Sequence, residues 1–220
     1  MKKIISILGI ITILAISLFG FTGCGSDTEK KKSDDNKNKN SAVDEVSENK
    51  SFIDDNDSYY FIFDGKKYTA GDKISDLEKS GVSVREREKE ENVPANKYMI
   101  GAGYIVNSEN TTIFTVVPYN TESSPVKVPD THIGGFKLDE DYLKRDSRVA
   151  DIEIYGGIKL GSTLEDVQKV FGTEPSYTYE GDTYSSYDYD SDEVYRSFEF
   201  RVDKEGKVIY IGWENLVFND

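Results

Sequence analysis

A single cysteine and a single histidine in 220 residues remove several chemistries at once. With no second cysteine, no intrachain disulfide can brace the fold. His132 stands in Pro129-Asp130-Thr131-His132-Ile133-Gly134-Gly135 with no partner motif for nucleophilic catalysis, and reads as a loop residue. No G-x-S-x-G occurs, and Gly101-Ala102-Gly103 has Val106 where a dinucleotide fingerprint needs its third glycine. Positive charge is also scarce: 27 Lys and Arg stand against 41 Asp and Glu, a net charge of −14. No basic cluster offsets this, so the field repels phosphate backbones and anionic headgroups. Nucleic-acid binding and electrostatic docking on a lipid surface are thereby excluded. Neither an enzyme nor a cofactor is expected.

One apolar run is present. Met1-Lys2-Lys3 is followed by Ile4 to Phe21, uncharged and almost wholly apolar, about 18 residues and so at the lower limit for a spanning helix. A short positive start and an apolar stretch ending in small residues read as an export signal. The run closes in Phe21-Thr22-Gly23-Cys24, which resembles the lipobox of bacterial lipoproteins, although Phe21 stands where leucine is usual. The resemblance implies cleavage after Gly23 and a diacylglyceryl thioether on Cys24, small residues admitting the signal peptidase. It places the mature chain on the extracytoplasmic face of the cell membrane, and a Lys- and Asn-rich tether suits a Gram-positive cell. Two or three acyl chains anchor stably where one would not. Loss of Lys2 and Lys3 with the leader takes the net charge to −16.

Residues 24–57 after the signal (1–23) are rich in Lys, Asp, Asn, Ser and Glu, with no apolar periodicity. They are expected to form a disordered tether that cannot bury enough surface to offset its chain entropy. From Ser58 the pattern changes, and 58–220 is expected to fold as one α+β domain. Tyr59 to Phe63 is β-prone and Asp64-Gly65 makes a turn. Asp72 is expected to cap a short helix carrying Ile74 and Leu77, with Gly81 ending it. A hairpin follows, with arms Tyr98–Val106 and Thr111–Val117. The order then recurs: alternating Ile152 and Ile154, and Ser162 with Glu165 spaced as a capping box. Leu164, Val167, Val170 and Phe171 form a helical stripe ended by Gly172, and a second hairpin has arms Val194–Val202 and Lys207–Trp213. Gly71 and Gly161 lie 90 positions apart, and Ile74/Leu164, Asp76/Asp166, Leu77/Val167 and Lys79/Lys169 match in type. Either 58–130 and 148–220 are a duplicated unit of short helix plus antiparallel strands, or two short helix starts coincide.

The stretch Gly157 to Val167, continuing through Phe171-Gly172-Thr173-Glu174-Pro175, is similar to the helix entry of BamE-like and β-lactamase-inhibitory-protein-like domains. The resemblance covers about twenty residues and implies a small helical layer on an antiparallel sheet, a fold used to bind other proteins. The families share no one partner, and the inhibitors use disulfides that this chain lacks, so no target carries over.

Two features could carry recognition. Asp188-Tyr189-Asp190-Ser191-Asp192-Glu193 opens like a calcium loop but has Glu193 where the sixth position needs glycine. Around it lie Tyr177, Tyr179, Tyr184, Tyr187, Tyr189 and Tyr195, a segment that reads either as β-propensity or as an interaction surface, with Tyr179, Tyr184, Tyr187 and Tyr189 at its centre. Acids are too abundant for any pair to mark a hydrolase. The expectation is a lipid-anchored binding module for an unknown protein or envelope component. A solute- or calcium-sensing lipoprotein is the alternative, and a carboxylate-based envelope hydrolase the third.

Overall fold

The structure, a computed structural model, describes residues 52–192 and 195–217. Folded chain begins earlier than the expected Ser58. Phe52 and Ile53 are buried in the core, and Asp55 caps a 3-10 turn over Asn56–Ser58 with its carboxylate. Acids and asparagines on either side made this pair look like tether, but two apolar side chains suffice to fasten the segment.

Strands β1 (Tyr60–Phe63) and β2 (Lys66–Thr69) form a hairpin. Asp64 and Gly65 both take positive φ, as the two-residue turn between them requires. There follow β3 (Ser83–Val84), β4 (Asn92–Val93), β5 (Lys97–Tyr98), β6 (Tyr104–Val106), β7 (Thr112–Asn120), β8 (Val126–Lys127), β9 (His132–Asp139) and β10 (Glu153–Ile154). Helix α1 (Leu164–Phe171) precedes β11 (Tyr177–Glu180), β12 (Tyr184–Asp190), β13 (Arg196–Asp203) and β14 (Val208–Asn215). The main sheet runs β11-β12-β13-β14-β9-β7-β6-β3, with β5 also on β7; every pairing is antiparallel. The fold is thus mixed and sheet-dominated. A small sheet, β10-β1-β2, and α1 cover one face of the large one. Phe61 stacks on Phe136 at 4.4 Å, Tyr59 on Phe198 at 4.8 Å, and Phe171 meets Phe198 and Phe200 at 4.9 and 4.8 Å.

Ile74–Ser80 forms a 3-10 helix, not an α-helix, and its cap position is Lys73, whose side chain makes no capping bond. Asp72, the expected cap, turns back to accept hydrogen bonds from the Thr69 amide and hydroxyl. Gly81 ends the segment in the left-handed region, as expected. The capping box of α1 lies one residue beyond the expected one: Thr163 accepts from the Asp166 amide, and the Asp166 carboxylate accepts from the Thr163 amide. Ser162 instead accepts from the Lys159 amide. Both hairpin turns form where expected, Asn107 and Asp203 each accepting two amides through their side chains.

The same backbone bonds recur in the two halves. Gly71 donates to the Ile133 carbonyl and Gly161 to that of Val208; Ile133 donates to Asp72 and Val208 to Ser162; Ile74 donates to Thr131 and Leu164 to Gly206. Each helix-side residue has its counterpart 90 positions on, and each strand-side residue 75 on. By this correspondence β9 stands where β14 stands, and the pair Lys137↔Gly212 lies where the two strands cross their own equivalents.

Candidate functional site

Alternation along the strands sorts the sheet into two faces. The row Tyr189–Phe198–Trp213–Phe136–Val116 is buried against the small sheet and α1. The neighbouring row, Tyr177–Asp188–Glu199–Gly212–Lys137–Thr115–Tyr104, crosses seven strands on the opposite, open face. Next to it run Tyr179–Ser186–Arg201–Tyr210–Asp139 and Asp190–Ser197–Glu214–Gly135.

The expected tyrosine surface is split by this alternation. Tyr179 is 48% exposed and shares the open face with Tyr184, whose ring lies 6.1 Å away. Tyr187 and Tyr189 belong to the other side. Tyr189 is 2% exposed, packs on Phe171 and Phe200, and donates its hydroxyl to the Gly172 carbonyl. Burial pushes its phenol up to about 12. Tyr177, 57% exposed, joins the open face at the sheet edge, where all four residues of β11 are exposed.

At the other end of this face lies a cleft of about 290 Å³. Its walls include Met99, Ile100 and Ala102 from the loop after β5, together with Tyr104, Tyr142 and Tyr210; Lys137 and Asp139 supply its charge. The expected arm Tyr98–Val106 is broken here. Its ends pair with β7 as β5 and β6, with Met99 and Gly103 still bonded to β7, while residues 100–102 loop out, turned by Gly101 and Gly103 at positive φ. A Cβ at Gly103 would stand 2.4 Å from the Val116 carbonyl oxygen, so only glycine lets the loop return so tightly to β7. Ile100 is left 71% exposed at the lip. Arg85, Arg145 and Arg201 lie over the rings of Tyr104, Tyr142 and Tyr210 at 4.3, 4.7 and 4.3 Å, which fixes the three tyrosines. Burial raises the Tyr210 and Tyr142 phenols, so both are neutral donors at neutral pH. None of these cleft residues stood out in the sequence; the two glycines inside an otherwise strand-like arm were the available signal.

Between cleft and Tyr177 the face is polar. Lys137 pairs with Glu214 at 2.9 Å and Arg201 with Glu199 at 2.8 Å. Asp188 stands directly opposite Glu199. Burial, and then the neighbouring Asp190 charge, holds the Asp188 carboxyl above its ordinary value, while burial alone raises Asp190. Both lie on β12, so the calcium-like D-x-D-x-D opening is strand through Asp190 rather than a loop. Among the described residues no three His, Cys, Asp or Glu side chains gather as a metal would need. His132 begins β9, not a loop, with its Nδ1 3.4 Å from the Thr121 hydroxyl. Cys24, with the signal and residues 24–51, lies outside the described residues.

The chain matches no family model, no curated protein and no solved structure. What it resembles therefore rests on residues 21–24 and 157–175 alone, and what it does rests on the geometry of the open face.

Proposed function

We propose that this chain is a lipid-anchored binding module of the bacterial cell envelope, held by Cys24 and docking a protein or envelope component on the open face of its sheet. The carrying observation is the face itself: exposed tyrosines at one end, a tyrosine-walled cleft with a bare isoleucine lip at the other, and one uninterrupted seven-strand row between them. An apolar patch rimmed by polar groups is what recognition surfaces present, and tyrosine contributes area at small entropic cost. The scaffold reads as a duplicated helix-plus-strands unit of the BamE-like or β-lactamase-inhibitory-protein-like kind, with bounds shifted so that each copy ends in β9 or β14. The recurring bonds of Gly71 and Gly161, Asp72 and Ser162, Ile74 and Leu164 support that reading.

An envelope hydrolase is less well supported, because sugar hydrolysis uses two carboxylates across the scissile bond and the cleft lining offers Asp139 alone. Ion sensing would have to rely on Asp188 and Asp190, two carboxylates on one strand face.

Site-specific photocrosslinking of the full chain in its producing cell tests the proposal, with the photoreactive residue at Ile100 or Tyr179 and, as control, at Glu165 on α1. Adducts from the first two positions but not the third are expected. The anchoring half is tested in parallel with Cys24→Ser, which should accumulate as an unprocessed, unlipidated precursor. Normal maturation of that variant, or equal crosslinking from all three positions, would overturn the corresponding half.

A further inference from the structure

Charge on the open face is unevenly settled. In the middle of the face Lys137 is committed to Glu214 on the adjacent strand and Arg201 to Glu199 on its own strand, while at the cleft Arg85 pairs with Glu88 and Arg145 donates to the Thr112 carbonyl. Among the described residues no ion pair reaches Asp139, Asp188 or Asp190, although Asp139 accepts from the Asp141 amide and Asp188 from the Ser186 hydroxyl. Asp188 and Asp190 share one side of β12 and have Tyr177 and Ser197 beside them. Tyrosine next to carboxylate suits a cation, which takes the ring face and the charge together.

The cleft asks for a different group. It is walled by methionine, isoleucine, alanine and three tyrosine rings and has room for one large side chain. A dimple of about 40 Å³ continues from it toward β13, sharing Lys137 and Tyr210 with the cleft and reaching Ser197 and Glu199. Gly212 forms part of its wall: a Cβ there would meet the Tyr210 hydroxyl at 3.0 Å and its ring at 3.1 Å, so the shallow path between the two ends depends on a residue without a side chain. From Asp188 on β12 to Lys137 on β9 the face crosses β13 and β14, three strand spacings or about 14 Å. An extended chain covers that in about four residues.

We infer that the partner of this face is a basic polypeptide segment, which seats an apolar side chain in the cleft against its Lys137 and Tyr210 wall and lays a lysine or arginine on Asp188 and Asp190 about four residues further on. The inference rests on the reading of the open face as a docking surface and adds the chemistry of what docks. It accounts for the like charges of Asp188 and Asp190 standing on one side of β12: an arriving cation relieves the repulsion between them. An anionic partner would meet that repulsion undiminished.

The test uses the full mature chain and the peptide Phe-Ser-Gly-Ser-Lys-Lys, with Phe-Ser-Gly-Ser-Glu-Glu as its charge-reversed counterpart, followed by amide chemical shifts. The basic peptide should perturb residues around Ile100 and Asp188 together, and the acidic one should leave them unmoved. Asp188→Asn with Asp190→Asn should weaken the basic peptide about tenfold. Glu78→Gln with Glu165→Gln, the same charge change on the two helices, should leave it unaltered. Ile100→Ala, at an exposed position that the fold does not need, should weaken it several-fold. Equal weakening by the two double variants would mean generic attraction to an acidic protein and would overturn the inference, as would binding of the acidic peptide or indifference to Ile100→Ala. In cells, crosslinks at Ile100 and Tyr179 that persist unchanged in Asp188→Asn/Asp190→Asn would keep the docking face and discard the basic partner. Absence of those crosslinks would discard the face itself.

Discussion

The half of the sheet that ends in β14 and the half that ends in β9 make the same backbone bonds by different means. In the first of these, an α-helix opens on a reciprocal Thr163–Asp166 capping box, the strands run unbroken for seven or eight residues from β12 onward, and a four-residue turn joins β13 to β14. In the second, a 3-10 helix starts at Lys73 without a side-chain cap, the strand before β7 is split into β5 and β6, and eleven residues separate β7 from β9. Regularity and site have been divided between them. The regular half packs Phe171 against Phe52, Tyr189, Phe198 and Phe200, and the irregular half buries a matching cluster of Phe61, Phe63, Phe114 and Phe136. The irregular half supplies the loop that walls the cleft. Broken pairing leaves backbone free to rise off a sheet, and that is where a pocket forms on an otherwise level surface.

The largest expected effect tests the core side of this division. Phe171→Ala removes a 4% exposed ring with five aromatic neighbours that cannot all close in, and should cost about 3–5 kcal/mol in chemical denaturation. A loss below about 1 kcal/mol would show that α1 is peripheral and that the stability lies in the other half. Next comes the cleft loop. Gly103→Ala forces a Cβ against the Val116 carbonyl at positive φ and should cost about 2–3 kcal/mol, whereas Gly101→Ala, also at positive φ but in open space, should cost about 1 kcal/mol. If the two substitutions cost the same, the loop is not pinned to β7 and the cleft has no fixed wall.

Local chemistry in the sequence announced the local structure. The Asp64-Gly65 turn, the two Asx-type hairpin turns and the glycine ends at Gly81 and Gly172 all depend on residues within four positions of one another, and all stand where expected. The capping box moved by one residue because Ser162…Glu165 and Thr163…Asp166 satisfy the same spacing; only the backbone decides between them. The pairing of β9 with β14 joins residues more than 70 positions apart, and nothing in either segment names its neighbour. Without that pairing the open face has no centre, so Lys137, Asp139 and Tyr210 could not be grouped in advance. The tyrosine segment was visible, yet which of its rings face the core follows from strand register, where a shift of one residue exchanges the faces.

A third test addresses the seam between the halves. Asp146 accepts from the Arg148 amide, Nε and Nη2 at 3.0, 3.0 and 2.8 Å and from Asn107, while Arg148 Nη1 donates to the Ser80 carbonyl at 3.1 Å. The Arg148 hydrogen bonds hold the Asp146 carboxyl down at about 2. A depressed acid stabilises the fold above its unfolded value near 3.9 and loses that contribution as pH falls through its folded value. Asp146→Asn should therefore cost on the order of 1–2 kcal/mol at pH 7, and the gap to the unaltered protein should close as pH is lowered from about 5 to 2. A gap independent of pH would mean that packing, not the ionised carboxylate, matters there.

The smallest effect bears most directly on whether the halves differ in kind. Thr163→Ala deletes the hydroxyl that accepts from the Asp166 amide at 3.1 Å and donates to its carboxylate at 2.7 Å, and should cost about 1 kcal/mol. Lys73→Ala at the equivalent position removes no capping bond, and its cost should stay within about 0.5 kcal/mol. The backbone bonds around the two sites are the same, Gly71 with Ile133 and Gly161 with Val208, so both variants keep the helix attached to its final strand. Only the side-chain contribution changes between them. If Lys73→Ala costs as much as Thr163→Ala, the 3-10 helix is held by its first residue after all, and the irregular half is a second version of the regular one with its cap unrecognised. If the two separate as expected, the half that carries the cleft is held to the sheet by backbone bonds and buried Ile74 and Leu77 rather than by a side-chain cap.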